Sequence, residues 1–338
     1  MPPYASILAS NALLSPSPTN NPTARIAVFA GATSGIGKHT VRALVATGAR
    51  SRIYIIGRPS AAETMGPFFA EMHALNERAI LVWTEGEISL LAEVRRICDE
   101  IKAKEPVIDL LFLTAGYAPF GGRKETPEGL EIASALEYYG RILFATLLLP
   151  ALKKASAGRV ISVLGGGLEG ATTIRDVEDL QMKKPGAWSG VGAQGQYVVM
   201  NTLGLERLAE GEGEGVTFVH AWPGLVSTGN IRRGHGEGSV AGWLAWAVEP
   251  VLGVLGTSGE VCGQRYLFEG TSGMYGGRGT VWEGVEGVNS RGEVGDGLFL
   301  VNYKGDCTPN GKVLGKLREG GVQDRVWEHT REVLKPYM

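Results

Sequence analysis

The sequence has few cysteines, little net charge and no long apolar segment. Only three of its 338 residues are cysteine, and Cys98, Cys262 and Cys307 are too far apart to form a metal-binding spacing. Such a small, odd number indicates a reducing compartment rather than a disulfide framework. The formal charge of −2 excludes long-range attraction to nucleic acid or to an anionic membrane.

The N-terminus also lacks the features of a signal peptide. Residues 1–21 have no basic region and no long apolar run, so they predict a disordered or wrapping leader. The longest apolar stretch further on, Leu143–Leu152, is too short to span a bilayer. The hydrophobic fraction of 44% and the charged fraction of 20% are those of an ordinary folded domain. We therefore expect a cytoplasmic protein.

Short apolar runs alternate with helical patterns along the first two thirds of the chain. The first run, Arg25–Ala30, is apolar at nearly every position, as in a strand buried on both faces. Similar runs follow at Arg52–Ile56, Ala79–Trp83, Ile108–Thr114, Arg159–Leu164 and Val216–Trp222. The intervening segments have helical periodicity and cover Gly37–Thr47, Ala61–Leu75, Leu90–Lys104, Glu128–Lys154 and Gln194–Ala209. This alternation predicts an α/β fold with a doubly wound parallel sheet of the Rossmann type.

The chain shows no internal repeat and no interdomain linker, which favours one domain over residues 23–338 after a leader at 1–22. From residue 229 onward the pattern loosens, and we interpret residues 229–338 as an extension on the substrate side. Further elements are expected there, as helices at Val240–Leu255, Ser258–Phe268 and Val322–Leu334 and as a strand at Leu298–Asn302. Trp243 and Trp246 have helical spacing and fit lid or core packing.

A glycine motif follows the first strand and opens the first of the alternating helices. Its spacing, Gly31-x-x-x-Gly35-x-Gly37, allows a tight turn and lets backbone N–H groups approach a pyrophosphate at a helix N-terminus. The last glycine permits close packing of the helix on the strand. The motif predicts a binding loop for a nicotinamide dinucleotide, formed by Gly31, Thr33, Ser34, Gly35, Ile36 and Gly37.

The end of the second strand indicates which dinucleotide is bound. A site for NAD usually has a carboxylate there, which binds the ribose 2′-hydroxyl. This chain has Gly57 at that place, followed by Arg58, whose guanidinium suits a 2′-phosphate. Lys38 adds positive charge nearby. We therefore expect NADPH or NADP⁺ rather than NADH.

From Arg25 to Thr228 these features resemble the short-chain dehydrogenase/reductase family. Glu87-Ile88-Ser89 is similar to the family's Asp-x-Ser, and Thr114-Ala115-Gly116 to the end of its Asn-Asn-Ala-Gly motif. Residues 223–228 match Pro-Gly-x-Val-x-Thr. The resemblance implies that Glu87 and Ile88 lie at the adenine, and that the nicotinamide side is formed by Ala115, Gly116, Pro223, Gly224, Val226 and Thr228. Phrases such as Tyr138-Tyr139-Gly-Arg141 are similar to reductase-like proteins encoded in fungal natural-product gene clusters.

The family's catalytic Ser, Tyr, Lys and Asn are not all present. The serine place falls near Gly165, where there is no hydroxyl, and the asparagine place falls on Glu137. The tyrosine and lysine places have two registers. One makes Tyr197 and Asn201 the catalytic pair, and the other puts Gln194 and Val198 at those places. Both registers lose the lysine, whose charge would lower the pKa of the tyrosine.

Three functions remain open. The first is an NADPH-dependent oxidoreductase that acts on a small apolar carbonyl or enone intermediate of secondary metabolism, with Tyr197 as the proton donor. The second is a cyclase, isomerase or dehydratase without net redox, and the third is a non-catalytic dinucleotide-binding protein. In relatives the long helices, here Glu128–Lys154 and Gln194–Ala209, often form a dimer seam, so a homodimer is an option. His220 is expected to be a packed core residue, and Glu169 a solvated loop charge.

Overall fold

A parallel sheet of seven strands lies at the centre of the computed structural model, which describes residues 1–16, 24–117, 119, 122–171, 174–224 and 257–338. The strands are β1 (Arg25–Ala30), β2 (Ser51–Gly57), β3 (Ala79–Glu85), β4 (Leu110–Leu113), β5 (Arg159–Val163), β6 (Thr217–Ala221) and β7 (Leu298–Val301). Their order is β3-β2-β1-β4-β5-β6-β7. The predicted doubly wound sheet is confirmed. Its order reverses between β1 and β4, which is where such sheets bind ligands.

Helices cover both faces of this sheet. In the part of the chain that the structure describes they are α1 (Tyr4–Ala12), α2 (Gly35–Ala46), α3 (Ala62–Leu75), α4 (Leu91–Lys102), α5 (Ile132–Leu152), α6 (Gly190–Glu210), α7 (Gly259–Thr271), α8 (Gly311–Glu319) and α9 (Val322–Leu334). One apolar cluster joins the sheet to α4, α5, α6 and α9, and a second joins it to α1, α2, α3 and α7. Apart from the half-buried edge strand β3, the strands form continuous apolar runs because both of their faces are buried.

The helix expected over Glu128–Lys154 begins four residues later than its pattern indicates. Glu128 instead accepts hydrogen bonds from the backbone N–H groups of Leu91 and Ala92, at 2.6 and 2.9 Å. Its carboxylate therefore caps the N-terminus of α4, where negative charge is favourable. Helix α5 itself contains a π-helical turn over Ala135–Tyr139. Such turns widen a helix locally and are often found at functional sites.

Helix α5 is long and apolar enough, by length and composition alone, to cross a membrane. However, 83% of its most apolar window is buried inside the protein, as in a core helix. Only Pro150 in its C-terminal part, residues 140–152, is fully exposed. The apolar character of the helix is explained by packing on the sheet and on the helices beside it.

The N-terminal segment is ordered over residues 1–16. Helix α1 buries Ile7 and packs against α7, and the side chain of Asn11 donates to the backbone oxygen of Gln264 at 2.8 Å. The terminal ammonium group of Met1 forms an ion pair with Asp306 at 2.7 Å. Over residues 1–16, the leader therefore takes the wrapping form of the two expected. Local sequence propensity could not predict this docking of α1, because Asn11 and Gln264 are more than 250 residues apart in the chain.

Helix α9 packs across α6 and the start of α5. The hydroxyl of Tyr138 lies 2.5 Å from that of Thr330, and Tyr139 Oη lies 2.9 Å from His329 Nε2. Helix α9 thus covers part of the surface of α5 and α6 at which a homodimer was expected to form. The expected helix Val240–Leu255, with Trp243 and Trp246, lies outside the described residues.

Candidate active site

The glycine loop between β1 and α2 has the backbone that its motif predicts. Gly31 and Gly35 have positive φ angles of 104° and 58°, which side chains with a Cβ rarely adopt. A Cβ on Gly37 would come within 2.5 Å of the carbonyl oxygen of Gly31. The loop is therefore an open backbone cradle, with the N-terminus of α2 directed at the space above it. Such a cradle fits a dinucleotide pyrophosphate.

The place of the NAD-type carboxylate is physically closed. A Cβ on Gly57 would lie 2.7 Å from Cγ2 of Thr33 and closer still to the indole ring of Trp83. No acidic side chain can therefore occupy this position without moving those residues. Arg58 follows with an exposed side chain, directly after the carboxyl end of β2. Lys38 instead lies over the ring of Phe68, with Nζ 4.6 Å from the centroid.

The remaining residues expected at the cofactor lie at neighbouring strand ends. A Cβ on Gly31 would come within 2.8 Å of Ala115 Cα, which places the segment after β4 beside the glycine loop. Glu87 lies after β3, and its carboxylate accepts bonds from the N–H and hydroxyl of Ser89 at 3.2 and 2.9 Å. These strand ends include Ser34, Ile36, Ile88, Gly116, Pro223 and Gly224, all half-buried. Val226 and Thr228 lie outside the described residues.

Helix α6 supports the second of the two registers. Gln194 and Val198 face the strand ends: Gln194 Nε2 donates to the carboxylate of Glu137 at 2.9 Å. The side chain of Val198 lies against Gly165, whose Cβ, if it had one, would be 2.6 Å from Val198 Cγ2. In this register the places of the family's tyrosine and lysine hold an amide and an aliphatic side chain, and that of its serine holds a glycine.

Tyr197 points away from these residues into the helical layer. Its side chain is 1% exposed, and its hydroxyl donates to Glu131 at 2.9 Å. Burial and the neighbouring Glu131 carboxylate raise the pKa of this phenol. Its proton is therefore held firmly and is already committed to Glu131, which makes Tyr197 a poor match for the expected proton donor.

Asn201 belongs to a buried polar network under the strand ends. Its Oδ1 accepts a hydrogen bond from the hydroxyl of Ser162 at 2.8 Å, and its Nδ2 donates to the backbone oxygen of Glu137. Both polar ends of the amide are used within the protein. The residue holds α6, β5 and the π turn together, and it provides no charge in place of the family's lysine.

The buried cation of this region is Arg141 on α5. Its guanidinium donates to the carbonyl oxygens of Ala115 and Val163, each at 2.8 Å, and to the hydroxyl of Ser162 at 2.9 Å. It therefore ties the carboxyl ends of β4 and β5 together. Burial lowers the pKa of Arg141 to about 10, which still leaves it charged at neutral pH.

A buried hydrogen-bonded chain supports the glycines that follow β5. The N–H of Gly165 donates to His220 Nε2 at 3.2 Å, and His220 Nδ1 lies 2.8 Å from the hydroxyl of Thr202. That hydroxyl donates to Glu169 at 2.6 Å. Burial lowers the pKa of His220 to about 3, so the ring is neutral and packed in the core. Glu169 is fully buried. The expectation that it is a solvated loop charge is wrong, because its carboxylate accepts hydrogen bonds from Thr202 on α6, from the N–H of Gly167 in its own loop and from Asn310 before α8.

Glu137 is a buried ionisable group at the place where the sequence departs from the family's asparagine. It lies in the π turn of α5 at the family's asparagine place, and its side chain is 2% exposed. One carboxylate oxygen accepts the N–H of Tyr117 at 3.0 Å and the other accepts Gln194 Nε2 at 2.9 Å. A Cβ on Gly116 would lie 2.6 Å from Glu137 Oε1. Burial raises its pKa to about 7, although Arg141 opposes the shift.

Comparisons with known proteins agree with this geometry. Residues 25–167 match the family described as short chain dehydrogenase. The NmrA-like family domain-containing oxidoreductase notO of Aspergillus sp. (strain MF297-2) is 35% identical over 312 residues, which are 92% of this chain and 90% of that protein. Oxidoreductase AN1596 of Emericella nidulans is 35% identical over 317 residues, or 91% of this chain and 92% of that protein.

A solved structure of an uncharacterised protein from Mycobacterium paratuberculosis has the same fold. It superimposes with a TM-score of 0.57 at 18% identity and covers 95% of this chain and 98% of its own. At this identity the likeness concerns the fold alone. Taken with the full-length fungal relatives and the glycine loop at the sheet reversal, it leads to one conclusion: the chain belongs to the short-chain dehydrogenase/reductase family.

Proposed function

We propose that the protein is a cytosolic NADPH-dependent oxidoreductase that acts on a small apolar carbonyl or enone intermediate of secondary metabolism. The observation that carries this proposal is the open backbone cradle between Gly31 and Gly37. It lies at the reversal of the strand order, beside Gly57, where a side chain would meet Thr33 and Trp83. The substrate class is supported by family analogy.

The region at the carboxyl ends of the strands, where the strand order reverses, is called the crevice below. Its residues fit NADPH. The backbone from Ser34 to Gly37 would hold the pyrophosphate, and Arg58 would pair with the 2′-phosphate. Glu87 and Ile88 would flank the adenine, with the nicotinamide half lying along Ala115, Gly116, Pro223 and Gly224. A bound reduced nicotinamide supplies a hydride.

The assignment of an apolar substrate is supported by half-buried apolar residues near the strand ends. Tyr117 follows β4, Leu164 follows β5, and Trp188 precedes α6, and all three pack against the same core cluster. Val198 adds an aliphatic surface beside Gly165. These side chains would exclude water from the carbonyl group and favour an apolar ligand.

Titration with NADPH, followed by its fluorescence, tests the cofactor assignment. Gly37→Val should abolish binding, because a branched side chain would collide with Gly31 in the cradle. Gly66→Val is the matched control, since a Cβ at Gly66 in α3 meets no atom within 4 Å. Circular dichroism must show that both variants are folded. Binding that survives in folded Gly37→Val would assign the loop another role.

A reaction without net redox is the second candidate. It is favoured by Gln194 and Val198, which stand where the family has its proton donor and its activating cation. A cyclase, isomerase or dehydratase would use the acid–base groups of the crevice and leave the oxidation state of the cofactor unchanged. Product formation without loss of dihydronicotinamide absorbance selects this candidate, and stoichiometric loss selects the reductase.

A further inference from the structure

The crevice holds a carboxyl group that no family role accounts for. Glu137 lies within the same strand-end region as the glycine loop, because Gly116 contacts it on one side and the neighbouring Ala115 adjoins Gly31 on the other. It lies in the π turn, which widens α5 at that point, and its side chain lies against the segment that follows β4. An acid here replaces the neutral amide of relatives.

Gln194 completes the arrangement from the opposite helix. Its Nε2 donates to Glu137, while its Oε1 is buried and has no hydrogen-bond partner among the described residues. An unpaired buried acceptor is costly unless a ligand satisfies it. A ligand hydroxyl that donates to Gln194 Oε1 would lie next to the Glu137 carboxyl. In the second register Gln194 occupies the family's tyrosine place, so the hydroxyl that would donate to Oε1 is that of the alcohol formed by reduction, since a carbonyl oxygen has no hydrogen to donate.

We propose that Glu137 is the catalytic proton donor of this enzyme and that Gln194 positions the Glu137 carboxyl and accepts a hydrogen bond from the alcohol hydroxyl formed beside it. The inference rests on the proposed function, since it requires a nicotinamide dinucleotide in the crevice. It assigns the acid to α5, whereas the Tyr197 interpretation assigns it to α6.

The charge environment suits this role. The groups that face Glu137 are Arg141 on α5, Glu131 before it, and the phenols of Tyr117 after β4 and Tyr197 on α6. Arg141 keeps the ionised form accessible, whereas burial and Glu131 favour the protonated form. An acid that titrates near neutral pH can both give up and recover a proton under working conditions.

The step balances without another reactant. The carbonyl carbon of the substrate accepts the hydride that NADPH supplies, and the carbonyl oxygen takes the proton of Glu137, directly or through one water molecule. The O–H bond of Glu137 breaks and that of the product alcohol forms. The carboxylate that remains recovers its proton from solvent, and the cofactor leaves as NADP⁺.

Proton linkage to cofactor binding tests the placement of Glu137 without any substrate. The nicotinamide ring of NADP⁺ is positively charged and that of NADPH is neutral. A carboxyl that faces this ring should ionise when NADP⁺ binds and not when NADPH binds. Calorimetry at about pH 7 in buffers of different ionisation enthalpy measures the protons released. In the wild type, NADP⁺ should release about half a proton more than NADPH, because a group with a pKa near 7 is half protonated there.

The variants Glu137→Gln and Glu131→Gln separate this group from its neighbours. The difference in proton release between NADP⁺ and NADPH should vanish in Glu137→Gln. It should persist in Glu131→Gln, because the carboxylate lost in that variant is the one that accepts from Tyr197. The 2′-phosphate also titrates near this pH, but it is common to both cofactors and cancels in the difference. If Glu137→Gln does not fold, Glu137→Asn replaces it in the experiment, because asparagine is the family's residue at this place.

Equal proton release in the wild type and the folded Glu137 variant would overturn the inference while leaving NADPH binding intact. Absence of saturable binding by either cofactor would instead overturn the proposed function, and this inference with it. Loss of the difference in Glu131→Gln but not in Glu137→Gln would assign the facing acid to the Tyr197 side and refute the present assignment.

Discussion

The side chain of Val198 fills the space next to Gly165, at 2.6 Å from the point where a Cβ of residue 165 would lie. In the second register the family's lysine and serine fall at these two places. Here the pair is aliphatic and small, so the hydroxyl and the cation are absent together and the gap between helix α6 and strand β5 is filled by packing.

Gly165→Ser should therefore destabilise the protein when made alone. Forcing a side chain against Val198 is an overpacking change, which costs roughly 1–3 kcal/mol of unfolding free energy. Val198→Ala should recover most of this loss in the double variant. Urea denaturation of the four proteins of the cycle measures the coupling. Additive effects would show that the two side chains do not compete for the same space.

Tyr197→Phe should leave NADPH affinity and turnover nearly unchanged. The hydroxyl is buried against Glu131 and outside the crevice, so its removal costs one hydrogen bond to a carboxylate, roughly 1.5–3 kcal/mol of stability. Thermal unfolding and steady-state kinetics on the natural substrate separate the two effects. A large loss of turnover with stability intact would restore Tyr197 as the proton donor.

Arg58→Asp should shift cofactor preference toward NADH. The change removes the partner of the 2′-phosphate and adds an acceptor for a ribose hydroxyl. NADPH binding should weaken roughly 5- to 150-fold, equivalent to about 1–3 kcal/mol. Arg50→Asp makes the same charge change at the exposed residue just before β2, at the far end of that strand, and should have little effect. If NADPH affinity fell equally in both variants, the loss would be a long-range charge effect and Arg58 would not be the partner of the 2′-phosphate.

The pH dependence of stability should reveal the buried Glu137. Burial raises its pKa to about 7 from 4.5, so the folded protein holds a proton that the unfolded chain has released. The resulting stabilisation is fully present below the unfolded pKa and is lost as the pH rises through the folded one. His220 acts in the opposite direction: burial lowers its pKa to about 3, and its contribution is lost as the pH falls.

Comparison with Glu137→Gln isolates the first effect, because His220 is common to both proteins. The wild type should gain on the order of 2–3 kcal/mol relative to Glu137→Gln between about pH 8 and about pH 5. Urea denaturation at the two pH values measures this difference. A constant difference would show that the carboxyl titrates as an exposed glutamate does.

Most strands of the fold can be predicted from the sequence because both of their faces are buried, which makes them continuous apolar runs. Apolar runs placed β1 at Arg25–Ala30 and indicated β7 near Leu298, and the helix Val322–Leu334 was located at its true bounds. Elements that depend on distant partners were not. The start of α5 was misplaced because Glu128 caps α4, and the docking of α1 on α7 has no local signal.

The cofactor half of the site followed from the glycine motif because its spacing reflects backbone geometry. The catalytic half did not, since a motif search looks for hydroxyl, phenol and ammonium groups at fixed places. Glu137 was noticed only as a departure from asparagine. Its importance depends on burial, the π turn and the contact with Gln194 from another helix, none of which is encoded in local spacing.

A structure of the protein with bound NADP⁺ tests the account most directly. We predict that the pyrophosphate lies on the backbone of residues 34–37 and that the nicotinamide C4 faces Gln194, with the Glu137 carboxyl within reach of a ligand oxygen there. A nicotinamide that instead faces the hydroxyl of Tyr197, or a dinucleotide bound away from the glycine loop, would contradict the assignment.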